Sequence, residues 1–308
     1  MTCKRPGAEK GNRPAAGEIK ARCMIISASY RTDIPAFYGA WFAARLAAGE
    51  CYVRNPYGGA PYRVASDPDS AEGFIFWTRN PRPFLPVLGQ VAARRQPFML
   101  QTTITGYPRA IDRHVPPPAP VIRTLATIAR DHGPEVVVWR YDPILLTDHL
   151  TAAWHRRNFA GLASRLAPLT DEVVVSFAHF YVKSTRNLAA AGIAWRDPPV
   201  DEKRALLADL AEIAGNYGLA LTVCSQSDLA VAPVAAARCV DAGRLARVGG
   251  QPIVARTKGN RPGCLCAESR DIGVYDSCVH GCTYCYAVRA PAAAVAKRAA
   301  HVATADRL

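Results

Sequence analysis

Six short runs of this chain are apolar almost without interruption: Met24–Ser29, Gly73–Thr78, Phe98–Ile104, Glu135–Trp139, Glu172–Phe177 and Leu219–Cys224. A strand with one wet face alternates apolar and polar residues. A continuous run suits a strand covered on both faces, as in parallel sheets. Between the runs lie amphipathic or Ala/Leu-rich stretches at Pro35–Ala48, Val121–Asp131, Trp154–Arg165 and Pro199–Tyr217. The last has Asp201 in its opening turn and Gly218 just past its end, as a helix favours. Strand–helix alternation at this pitch predicts an α/β fold, a TIM-like parallel β/α barrel, partial or full.

Polar groups recur where these strands end. The first runs into Tyr30-Arg31-Thr32-Asp33 and the second into Trp77-Thr78-Arg79-Asn80. The third carries Gln101, Thr103 and Thr105, and the fourth runs into Arg140-Tyr141-Asp142. Barrel enzymes build their sites at carboxyl ends of strands. A single Arg–Asp pair there can be an ordinary loop ion pair; the recurrence over successive strands points to a shared site. Arg31, Asp33, Arg140 and Asp142 are therefore candidate catalytic residues, and Arg79, Asn80 and Gln101 candidate cofactor contacts. The two arginines Arg31 and Arg140 suit a carboxylate or phosphate through bidentate bonding. The aspartates suit orienting those arginines, binding hydroxyls or moving protons.

The 308 residues are half hydrophobic, enough for a large core. No apolar run is long enough to span a membrane, and the basic start has no secretory h-region. Residues 1–22, with six Lys/Arg against two acids, read as a flexible tail. Residues 23–262 read as the barrel-like domain, and 263–308 as a cysteine-rich segment packing on it, closed by a helix within 287–303. The net charge is +13. Such a field attracts phosphates, nucleic acids or anionic cofactors. No aromatic–basic interleaving of the kind that stacks single strands accompanies it.

Ten cysteines without an export signal imply a reducing cytoplasm, where clustered thiols bind metal or do redox chemistry. Cys278, Cys282 and Cys285 stand at C-x3-C-x2-C spacing, with Tyr284 before the last. Three thiolates leave a 4Fe–4S cluster one ligand short, so one iron stays open to a substrate or cofactor. A structural zinc normally takes a fourth protein ligand. Four further thiols, Cys224, Cys239, Cys264 and Cys266, match the number that saturates a second 4Fe–4S cluster or a zinc. Cys264 and Cys266 form the safer pair, because C-x-C in a loop is not a core pattern. Cys3, Cys23 and Cys51 are isolated and read as non-ligands.

The spacing, Tyr284 and the following Tyr286-Ala287 resemble the radical S-adenosylmethionine (SAM) signature. That resemblance implies that Cys278, Cys282 and Cys285 hold the cluster, that SAM chelates the open iron, and that Tyr284 lies near the adenine. An electron passed to SAM would then yield a 5′-deoxyadenosyl radical to act on a small-molecule substrate. The electron would come from a donor such as ferredoxin or flavodoxin.

The stretch from Cys264 to Ala287 also resembles a bacterial domain-of-unknown-function family, DUF 1848. So do Ser27-x-Ser29-x-Arg31-Thr-Asp33-Ile-Pro35, Phe76-Trp-Thr-Arg-Asn-Pro81 and Val138-Trp-Arg-Tyr-Asp-Pro143. The family carries its radical-SAM-like cysteines at the carboxyl end and implies no reaction. Only 23 residues follow Cys285, too few for a barrel. The barrel must come first, with the cluster loop folding back over its mouth. The local motif further resembles the spore photoproduct lyase branch, which implies a DNA-repair variant. Two other readings stand beside the radical enzyme: a non-catalytic iron–sulfur electron carrier, and a nucleic-acid-binding protein with structural zinc.

Overall fold

Strands that are apolar on both faces need a cover on each, and the chain supplies two. In the computed structural model, which describes residues 24–55 and 58–308, eight strands form one sheet. They are β1 (Met24–Ala28), β2 (Ala71–Thr78), β3 (Phe98–Thr103), β4 (Val137–Ile144), β5 (Glu172–Phe177), β6 (Ala220–Val223), β7 (Ala235–Ala236) and β8 (Ser269–Asp271). All neighbours are parallel, in the order β7-β6-β5-β4-β3-β2-β1-β8. The tail at 1–22 with Cys3, and Cys23 just after it, lie outside the described residues.

The outer cover is helical: α1 (Gly39–Ala48), α2 (Leu85–Ala93), α3 (Pro118–His132), α4 (Ala152–Leu166) and, after α5 (Val182–Ala190), whose Leu188 packs instead in a third cluster with Tyr107, Ile111 and Leu145, α6 (Val200–Asn216). Phe74, Phe76, Leu100, Trp139 and Val175 of the strands form one core with Trp41, Phe42, Leu88, Leu125, Phe159 and Leu207 of the helices. The alternate strand residues Ile25, Ile75, Met99, Val138 and Val174 form a second core. They share it with Cys224, Cys239, Val240, Leu245 and Cys266, which lie beside the two edge strands or beyond them. Residues from both edges can meet in one cluster only if the sheet curls, which places this core on its concave side. Leu245 enters from helix α7 (Ala242–Gly249), whose Arg244 pairs with Asp171 at 2.7 Å and Glu172 at 3.0 Å beside the start of β5.

The parallel α/β expectation holds, and Glu172–Phe177 is met to the residue. The sheet does not close into a barrel by strand pairing, however. β7 and β8 share no ladder, and a single backbone bond, Ala267 N to Val240 O at 2.9 Å, joins their flanking segments. Both edge strands are too short, at two and three residues, for any periodicity to reveal them. The helix expected over Pro35–Ala48 is broken at Tyr38 (φ −130°). That side chain turns away to donate to Ser277 O at 2.8 Å. A final helix, α8 (Pro291–Ala299), lies within the expected closing stretch. No helix among the described residues is long and apolar enough to cross a membrane.

Between β4 and α4 a buried polar chain fixes the loop that follows β3. His155 Nε2 lies 3.1 Å from Leu145 O, which can only accept, so Nδ1 accepts from Tyr141 Oη at 2.8 Å. Asn158 donates to Tyr141 Oη at 3.0 Å and to Thr105 O at 2.8 Å. Burial pushes the fully enclosed His155 ring down to about 4. Unfolding returns it to about 6.5, so between those values the unfolded chain holds a proton that the folded chain lacks. We expect stability to fall by about 3 kcal/mol from this group as pH drops from 6.5 to 4. His155→Gln should be less stable at neutral pH yet show a shallower decline over that window in urea denaturation.

Candidate functional site

The end of β1 and the cysteine loop are joined by one carboxylate. Asp33 Oδ1 accepts from Ala36 N at 2.9 Å, capping a one-turn helix at Ile34–Phe37. Its Oδ2 accepts from Arg79 N, just past β2, at 2.7 Å, and meets His280 Nε2 at 2.8 Å. His280, inside the C-x3-C-x2-C motif, is buried, and its Nδ1 has no hydrogen-bond partner. The loop is also stitched to the segment after β3. Thr283 N donates to Ile111 O at 3.0 Å, His114 N to His280 O at 2.9 Å, and Asp112 bridges to Cys282.

This folding brings Cys278, Cys282 and Cys285 together, partly buried, close enough for each to feel the others' charge. Burial pushes all three thiols above their ordinary value, Cys282 well above. Backbone N–H groups counter this. Those of His280 and Asp33 point at Cys278, and Ala287 N lies 3.4 Å from Cys285 Sγ. Arg79 pulls Cys282 the same way. Its guanidinium is held by Asp112 at 2.8 Å and by the Tyr284 hydroxyl, which itself donates to Asp112 Oδ1 at 2.9 Å. Burial opposes the Arg79 charge, but Asp112, Tyr284 and Cys282 outweigh it and hold the group well above its ordinary value. Thr105 Oγ1 donates to Asp112 at 2.9 Å, so the His155 chain reaches this site. A cleft opens beside Arg79 and Asp112, lined also by Thr105, Tyr107 and Arg109.

The other four thiols gather on the concave side. Cys239 Sγ lies 3.3 Å from Cys224 Sγ and bonds Cys266, which in turn bonds Cys264. Arg140 Nη1 reaches Cys239 Sγ at 3.0 Å and Gln101 Oε1 at 3.3 Å, and its other end pairs with Asp142. Arg140 also lies over the Trp77 ring, 5.1 Å from its centroid. Burial would raise Asp142, but Arg140 and the Ser176 hydroxyl hold it below the usual carboxylate range. Cys264 is pulled down to about 5, chiefly by a bond from Cys266.

A fourth carboxylate, Asp271 at the end of β8, ties β8 to β1. It accepts from Ser27 Oγ (3.1 Å), Ser29 Oγ (2.8 Å), Tyr30 N (3.0 Å) and Gly273 N (2.9 Å), with Arg31 Nε 3.7 Å away. A Cβ on Gly273 would come 1.9 Å from Ser29 Oγ, so only glycine fits.

The candidate residues thus divide. Asp33, Arg79 and Tyr284 surround Cys278, Cys282 and Cys285. Gln101, Arg140 and Asp142 surround the second thiol group. Arg31 belongs to Asp271 and lies over the Tyr30 and Tyr275 rings. Asn80 is taken up locally, its Oδ1 accepting from Arg82 N at 3.4 Å. Cys51 packs in the outer core, its thiol pushed up to about 12 by burial. Asp112 was missed because it sits in a loop with no strand to mark it. Asp271 was missed because β8 is polar and three residues long. Among the described residues, no three His, Cys, Asp or Glu side chains stand as they would around one bound metal ion. Cluster ligands each take a different iron and are spread more widely than ligands of a single ion.

The molecule is therefore a curled parallel α/β protein with two thiol groups against buried Arg and Asp. Residues 25–287 match the family model described as Domain of unknown function (DUF1848), and the chain belongs to that family. No curated protein matches it.

Arg79→Met would leave Asp112 buried without its cation. We expect a loss of about 3 kcal/mol, read by urea denaturation. Arg79→Met/Asp112→Asn should regain part of it, because the stranded charge is then gone.

Proposed function

We propose that this protein is an iron–sulfur enzyme in which Cys278, Cys282 and Cys285 hold a 4Fe–4S cluster with one iron left open, and that it acts by radical SAM-like chemistry on a small molecule. The fold-back of the cysteine loop onto the ends of β1, β2 and β3, bringing three thiols together beside Arg79, carries this reading. The residues present suit such a group. The sulfurs of Cys278 and Cys285 receive N–H bonds, and the Arg79 cation lies close to Cys282 in a centre that would be anionic. When bound, a cluster with an open iron would supply an electron and a coordination site for the reductive cleavage of SAM.

The tasks of the chain's own residues follow from their contacts. Asp33 positions the loop by gripping His280 and the Arg79 amide. Arg79 balances thiolate charge, and Asp112 and Tyr284 hold it in place. The cleft beside Arg79 gives a small molecule access. We read the curled sheet as a TIM-like barrel left open between β7 and β8, a reading its sequential strand order supports. Electrons would come from a small carrier such as ferredoxin or flavodoxin.

Protein purified and reconstituted without oxygen should lose about four irons and about four sulfides per chain when Cys278, Cys282 and Cys285 are all changed to Ala. The reduced wild type should cleave SAM to 5′-deoxyadenosine. A full cluster with no cleavage would favour a plain electron carrier, and an unchanged iron count would sink the assignment of the ligands. Asp33→Ala should lower retained iron, because it frees His280 from the sheet. Retained iron with lost turnover would instead make Asp33 a catalytic residue.

A further inference from the structure

Cys224, Cys239, Cys264 and Cys266 come from the segments that flank the gap in the sheet. Cys224 follows β6, Cys239 follows β7, and Cys264 and Cys266 precede β8. Their sulfurs run in sequence Cys224–Cys239–Cys266–Cys264, with 3.3 Å between the first two. The two ends of that series meet the same hydroxyl. Ser225 Oγ lies 3.5 Å from Cys224 Sγ and bonds Cys264. Four sulfurs and one hydroxyl therefore close into a ring. Two arginines reach it, Arg140 at Cys239 and Arg261 Nη2 at 3.9 Å from Cys224 Sγ. Val240 N also points at Cys266 Sγ, at 3.3 Å.

Four thiols with their own cations and an N–H donor are costly merely to bury. An apolar residue at each position would fill the concave core without polar demands. Four thiolates together with a thiophilic divalent ion, or with a 4Fe–4S cluster, leave a net negative centre that two guanidiniums and an N–H donor suit. The flanking segments share one backbone bond, so an ion or cluster gripping all four would complete the closure that β7 and β8 do not make.

We propose that Cys224, Cys239, Cys264 and Cys266, which as hydrogen-bonded thiols do not stand around one ion, move apart on deprotonation to ligate a second, structural metal centre, either zinc or iron–sulfide, that clasps the open seam of the sheet. It is independent of the cluster assigned to the carboxyl-terminal motif.

The test uses the full chain with Cys278, Cys282 and Cys285 changed to Ala, purified without oxygen and assayed for zinc, iron and acid-labile sulfide. One zinc per chain, or about four irons with four sulfides, is expected to remain, and the two results distinguish the kinds of centre. Adding Cys264→Ser and Cys266→Ser should remove it. Should that protein fail to fold, chelation of the three-Ala protein replaces it: the melting temperature should fall and four thiols should become reactive as metal leaves. A metal-free three-Ala protein with an unchanged melt would overturn the proposal, as would a Cys224–Cys239 disulfide in its place. Failure of the motif cluster would show instead as equal metal in wild type and the three-Ala protein.

Discussion

A carboxylate taken out of water has to have its lone pairs answered, and the way Asp33 is answered organises this molecule. Its partners are the first turn after β1, the first amide after β2, and a histidine almost 250 positions later in the chain. No one of these contacts is unusual. Together they make the position of the cysteine loop a condition of keeping that charge buried, because releasing His280 leaves an oxygen short of a donor in a dry place. The same device recurs at Asp112, which binds the Arg79 cation, and at Asp271, which binds β8 to β1. Three buried acids thus convert a late, glycine- and cysteine-rich segment into a fixed part of the sheet's mouth.

The thiols occupy the opposite electrostatic situation. Burial alone makes them hard to ionise, and the neighbouring N–H groups and arginines favour the ionised form. A cation among them would tip that balance fully, since metal binding and thiol deprotonation are one linked equilibrium. Cys51 stands apart from both thiol groups: it is held in the outer core as an apolar side chain, and burial raises its thiol against the pull of Arg45. The contrast separates a thiol that fills space in the core from thiols set among N–H donors and buried arginines.

Structure and site meet at the strand ends. The His155–Tyr141–Asn158 chain lies behind the sheet, yet through Thr105 it touches Asp112 and so the Arg79 pair. Arg140 links the concave core to the mouth in a similar way, with Gln101 and Cys239 on one side and Asp142 on the other. Stability and site geometry therefore draw on the same buried hydrogen bonds.

The long parallel strands are legible from residue pattern alone, since Val/Ile/Phe runs such as Glu172–Phe177 have no low-energy place except between two apolar layers. The sequence also determined the chemistry on offer, since C-x3-C-x2-C and C-x-C are local patterns that need no fold to be read. What it left open was decided by distance in space. That Arg79 serves Asp112, that Arg31 serves Asp271 and that Gln101 faces the second thiol group all depend on contacts between residues far apart in the chain. The two edge strands were illegible for a related reason. β7 and β8 are too short and, for β8, too polar to hold strand conformation alone, and their partners in the curled sheet induce it. The gathering of Cys224, Cys239, Cys264 and Cys266 into one ring is likewise a property of where that curl brings its two edges.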